Sequence, residues 1–126
     1  MNDRYLFRAK TCNGVWAQGF LAHNDNKYYI SNKSGMPFAY EVRQDTICAC
    51  TGLKDNNGKL IWENDIIKCK CGIAVVVWDR SEWRIKWVKD NIWRKDLHFW
   101  VNDENEYGVE VIGSAIDNPE LLEVEE

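Results

Sequence analysis

The residues of this 126-residue chain that could do chemistry are five cysteines, two histidines, and a set of lysines and arginines interleaved with tryptophan. Four of the cysteines form two Cys-x-Cys pairs, Cys48/Cys50 and Cys69/Cys71. Residues two apart on a strand point to the same side, so each pair could present two thiolates together, and four thiolates make a stable tetrahedral zinc site. Structural zinc ligands are usually spaced by two to four intervening residues, however, and a free cysteine also packs as a small hydrophobe. Buried or half-buried thiols, with no metal, are therefore expected. With Cys12 the count is odd, which fits reduced thiols better than a disulfide framework.

The remaining catalytic patterns are incomplete. DNNGKLIWE, starting at Asp55, hints at a calcium loop, but Lys59 stands at the fifth position and Ile66 where the twelfth should be an acid. His23 and His98 lie far apart in the chain with no nucleophile motif beside either. No two carboxylates are paired in an apolar setting. The expectation is a protein that is not an enzyme and holds no cofactor.

Two surfaces remain as candidates. The first is basic and aromatic: Lys68, Lys70, Arg80, Arg84, Lys86, Lys89, Arg94 and Lys95, interleaved with Trp78, Trp83, Trp87 and Trp93. Small barrels bind single-stranded nucleic acid by stacking bases on exposed rings while cations hold the phosphates. The commoner use of such rings is core, so most of these tryptophans are expected inside, with one or two left exposed. The second candidate is an apolar anchor of Trp93, Phe99, Trp100 and Tyr107 within an acidic rim, suited to docking on a basic protein surface. Core is again the competing use of those rings.

Charge distribution motivates both. Residues 1 to 65 carry 8 basic and 7 acidic side chains, residues 66 to 95 carry 8 and 3, and residues 96 to 126 carry 0 and 10, giving the net −4. A basic middle followed by an acidic end means the total charge does not reveal the sign of a partner.

These side chains must be positioned by strands. Seven Trp, five Tyr and four Phe against only two Pro favour pleated, half-buried surfaces. The length suits one domain, or two small β-subdomains divided into residues 1–60 and 61–126. There is no apolar run long enough to span a membrane, and the opening MNDRYLFRAK has no apolar core of a signal, so a cytoplasmic protein is expected.

Strand candidates run along the chain: Tyr5 to Lys10, Val15 to Ala22 with a possible bulge at Gly19, Lys27 to Ser31, Ala39 to Val42 and Thr46 to Cys50, with Asn32 to Pro37 a loop. Asn57-Gly58 suits the two positive-φ positions of a type I′ turn, and Asn64 is placed to take a left-handed conformation. Ile66 to Cys71, Ile73 to Trp78 and Trp83 to Val88 form a meander whose last strand puts Trp83, Ile85 and Trp87 on one face and Arg84 and Lys86 on the other. IWRKDLHFWV is ambiguous between strand and helical turn. Glu110 to Ile116 is a final strand, and Asp117-Asn118-Pro119-Glu120 opens a short helix.

Several of these motifs together resemble the YopX family of phage and prophage proteins. The resemblance is carried by Thr51-Gly52-Leu53-Lys54-Asp55 with Asn57-Gly58-Lys59, and by Ile61-Trp62-Glu63-Asn64-Asp65-Ile66-Ile67. It is supported by Leu6-Phe7-Arg8 with Gly14, Trp16 and Gly19, and by Glu110-Val111-Ile112-Gly113 with Asp117-Asn118-Pro119-Glu120-Leu121-Leu122. Asn64 stands where the family often has Gly, Cys48-Ala49-Cys50 where Gly-Gln-aromatic is commoner, and Ser114 where Asn is common. The resemblance implies an all-β protein with a short C-terminal helix, made of an N-terminal β-subdomain and a small SH3-like barrel, working in the cytoplasm of a bacterial host. It brings no activity and no functional residues. The resulting expectation is a phage accessory protein that binds a host or phage protein, or copies of itself, with nucleic-acid binding through residues 66–95 as the alternative.

Overall fold

The computed structural model describes residues 6–31, 39–70, 72–79, 81–88, 96–101 and 107–122. The protein is all-β; its described residues form two antiparallel sheets and only single turns of helix, and its chain divides into two units, Met1–Cys50 and Thr51–Glu126.

The first unit is built from β1 (Phe7–Lys10), β2 (Trp16–Asn24), β3 (Lys27–Ser31), β4 (Tyr40–Val42) and the start of β5 (Cys48–Lys54). Alternation places Ala9 opposite Ala17, and these small residues pack with Ile30 and Val42 as the core of the unit. Gly19 is not bulged. It pairs in regular register with Phe7, at the point where β2 passes from β1, its partner through residues 16–19, to β3, its partner through 20–24. A residue without a Cβ eases that bend. The Asn24-to-Lys27 turn holds Asp25 at φ 51° and Asn26 at φ 65°, so this hairpin has the left-handed pair of a type I′ turn.

The four strands curl until the last meets the first. Thr11 bridges Val42, and the Arg43 N–H donates to the Lys10 carbonyl at 2.8 Å. A 3₁₀ turn at Gln44–Thr46 comes next, and the Thr46 hydroxyl accepts from the Lys10 N–H and donates to the Arg43 carbonyl. β5 then pairs with the beginning of β1 through Cys48 and Ala49. The expected loop at 32–37 lies outside the described residues.

The second unit begins at Thr51, ten residues before the start expected at 61. The reason is chemical: Leu53 packs against the second core, and the Asp55 carboxylate accepts the Val111 N–H, so the hairpin after β5 belongs with the C-terminal strands. That hairpin also departs from the expected type I′ turn, because only Gly58, at φ 80°, is left-handed. The Gly58 N–H donates to the Asp55 carbonyl and the Asp55 N–H to the Lys59 carbonyl, which closes a three-residue loop with glycine in the bulge position.

β6 (Leu60–Trp62) turns into β7 (Asp65–Cys69) through Asn64, at φ 68° as its residue type suggested. Its N–H donates to the Val76 carbonyl and its carbonyl accepts from Ala115, while buried Asp65 takes the Trp62 N–H at 2.8 Å. β8 (Gly72–Asp79), β9 (Glu82–Trp87) and β10 (Glu110–Ser114) complete a sheet of order β10-β7-β8-β9. The core of the unit collects Ile61, Ile67, Val76, Ile85, Trp87, Leu97, Trp100 and Val109 among others. The ambiguous segment resolves as one helical turn, α1 (Leu97–Trp100).

After a bulge between Val111 and Gly113, β10 leads to a 3₁₀ turn at Pro119–Leu122. A Cβ at Gly113 would stand 2.6 Å from Asn118 Oδ1 and 3.2 Å from a Leu121 methyl, so only glycine lets this turn pack back. Gly113→Ala is expected to lose about 1–3 kcal/mol, the range for an overpacked site. Guanidinium denaturation checks it, and an unshifted midpoint would mean that the turn yields freely.

Candidate functional site

The basic and aromatic side chains of the second unit sit on the β8–β9 hairpin and β7. Register pairs Trp78 with Trp83, Val77 with Arg84, Val76 with Ile85, Val75 with Lys86 and Ala74 with Trp87. Side chains alternate, so Trp78, Trp83 and Trp87 share the face that carries Val76 and Ile85 into the core, and Arg84 and Lys86 share the other. Lys68 belongs with the cations, because it pairs with Ile73 and its neighbours Ile67 and Cys69 point to the core. Rings and cations therefore lie on opposite sides of one sheet.

The cations are also partly answered by acids. An Arg84 guanidinium nitrogen contacts Glu82 Oε1, and two acids stand in register beside cations: Asp96 across a backbone β-bridge from Arg84, and Glu110 opposite Lys68. The acidic end of the sequence is thus laid beside the basic middle along β10 and at Asp96. Lys68, Lys70 and Lys86 are exposed. Arg80, Lys89, Arg94 and Lys95 lie outside the described residues, as do Trp93 and Cys71.

The rings divide between core and surface. Trp62, Trp87 and Trp100 are buried, Trp16 and Trp83 half-buried, and Trp78 is 56% exposed. Trp100 lies in an edge-on aromatic cluster, 5.2 Å from Trp87, 5.1 Å from Phe99 and 4.8 Å from Tyr107 by ring centroids. At 5% exposure it has no face for a partner, so the anchor expected at this residue gives way to core. Phe99 and Tyr107 remain half-buried against it.

Trp78 owes its exposure to an overhang. β7 pairs with β8 only from Gly72 to Val75, whereas β9 accompanies β8 to Asp79. Residues 77–79 and 82–84 therefore project as a two-stranded arm beyond the start of β7, and Trp78 rests edge-on against Trp83 at 5.0 Å. Alternation alone, read from sequence, assigned this ring to a face but gave no sign that the face runs past its cover.

The thiols are buried at Cys48, Cys50 and Cys69 and exposed at Cys12, with the Cys48 thiol donating to the Thr46 carbonyl. Among the described residues no three His, Cys, Asp or Glu side chains converge at metal-ligand range. Exposed His23 stacks flat on Tyr28 at 4.4 Å, and the His98 side chain lies outside the described residues. One cluster was missed in the sequence: Arg8 Cζ and Lys10 Nζ lie 4.7 and 5.4 Å from the Trp16 ring centre. Two cations at i and i+2 on a strand whose hairpin partner begins with Trp carried that information. No helix among the described residues is long and apolar enough to cross a membrane, a statement that leaves strands aside.

Fold and site together define a small all-β protein with two cores and, in the second unit, rings and cations on opposite sides of a sheet. The family model for the YopX protein matches residues 7–123, and the chain belongs to the YopX family. Among curated proteins, none matches it.

Proposed function

We propose that this protein is a non-enzymatic protein-interaction module, a phage or prophage accessory factor acting in the bacterial cytoplasm on a host or phage protein or on copies of itself. The observation that carries this reading is the split of the β8–β9 hairpin into a ring face and a cation face. A strand of nucleic acid needs rings under its bases and cations along its phosphates on one side. Here a base stacked on Trp83 or Trp78 has Arg84 and Lys86 behind the sheet. Protein recognition has no such requirement, and an exposed indole is the side chain most often found at its energetic centre.

Nucleic-acid binding remains the second reading because Lys68, Lys70 and Lys86 are exposed together. Titrating the protein at low salt with short single-stranded DNA and RNA, while monitoring tryptophan emission, separates the two. No saturable quenching is expected. Quenching that weakens steeply with salt would move the assignment to nucleic acid.

A further inference from the structure

Among its described residues, the sheet of the second unit covers its two outer strands. Beside β10, the Asn56 N–H donates to the Val109 carbonyl at 2.9 Å and Asp55 Oδ2 accepts the Val111 N–H at 3.0 Å. Beside β9, Arg84 bridges to Asp96. The overhang of β8 is treated differently. The Asn64 N–H reaches the Val76 carbonyl, and beyond it no described strand pairs with β8 on that side. By the two-residue alternation of antiparallel pairing, the Trp78 backbone groups point the same way as those of Val76. An open edge is normally guarded by lysine, proline or a bulge. This one carries an exposed tryptophan.

We propose that the arm formed by residues 77–79 and 82–84 pairs edge to edge with the same arm of a second copy, joining two sheets across a twofold axis. The proposal rests on the interaction-module reading and names its partner. Two identical edges pair antiparallel, and the pairing is self-complementary by symmetry. With Trp78 opposite Trp78 of the second copy, the observed register continues as a row of four indoles, Trp83 and Trp78 from each chain. On the other face the row runs Arg84, Val77, then Asp79 and Glu82 of the second copy. Arg84 is then two strand spacings, about 10 Å between backbones, from the Asp79 of the second copy, within reach of an extended guanidinium across the small Val77.

Opposite charges thus meet across the twofold axis, which is what selects a second copy over a polyanion. Four indoles at about 150–250 Å² each set an upper bound of roughly 600–1,000 Å², below the area of a standard specific interface, and Trp83 is already half-buried, so the dimer is weak and concentration-dependent.

Sedimentation velocity of the full chain from roughly 10 µM to roughly 1 mM should show a monomer passing to a dimer. Trp78→Lys, which removes the ring and guards the edge, is expected to weaken association at least about thirtyfold with an unchanged far-UV spectrum. Arg84→Asp and Asp79→Arg should each weaken it, and the double variant should recover it. A chain that stays monomeric through the range, or a dimer indifferent to Trp78→Lys, overturns the proposal. Either result leaves the interaction-module reading standing, since that reading is decided by the oligonucleotide titration.

Discussion

Asp55→Ala is expected to lose about 3 kcal/mol or more, although it removes only three heavy atoms. The carboxylate is buried, and three backbone N–H groups depend on it: those of Asn57 and Lys59 at 2.9 Å to Oδ1, and that of Val111 at 3.0 Å to Oδ2. Alanine leaves all three donors without this acceptor, and an orphaned buried donor costs about 1–3 kcal/mol. Asp55→Asn makes a sharper test. Its amide oxygen can keep the two turn donors, but its NH₂ then faces the Val111 N–H, donor against donor. An intermediate loss is expected. Guanidinium denaturation of the three proteins decides it, and equal stability of wild type and alanine variant would show that water replaces the carboxylate at no cost.

Trp100→Ala is the second large effect, about 3–5 kcal/mol, the usual range for deleting a buried tryptophan. The ring contacts Trp87, Phe99 and Tyr107 at once. Against a total domain stability of about 5–15 kcal/mol, much of the variant would be unfolded at modest denaturant. Near-UV circular dichroism and the unfolding midpoint should fall together. A variant of unchanged stability that loses only an interaction would return Trp100 to the surface.

Much of this architecture was legible in the sequence, because local chemistry decided it. Lys27 to Ser31 is the third strand to the residue, Asn64 is left-handed, and Trp83, Ile85 and Trp87 share the face that alternation predicted. The departures arose where a particular side-chain bond outvoted a turn preference. Asn57-Gly58 suits a type I′ turn, but the Asp55 carboxylate holds the N–H groups of Asn57 and Lys59 and selects the bulged loop instead. The Asp25-Asn26 turn takes the type I′ form that its weaker sequence did not announce. Asp55 is also tied to a distant part of the chain, since it accepts the Val111 N–H.

The candidate surfaces were less legible. Periodicity assigns a residue to a face, and composition counts charges, but neither reports where one strand outruns its neighbour or which acid stands opposite which base. Trp78 and Trp83 face each other on the arm that outruns β7, yet Trp78 is exposed and Trp83 half-buried. Lys68 looked like part of a phosphate-binding face, but Glu110 stands across from it.

The division at Cys50 has a spectroscopic corollary. Of the seven indoles, Trp16 alone belongs to the N-terminal half, and the other six fall in the C-terminal half. Intrinsic emission is therefore a nearly exclusive optical label for one half of the polypeptide, and the amide bands of circular dichroism must speak for the other.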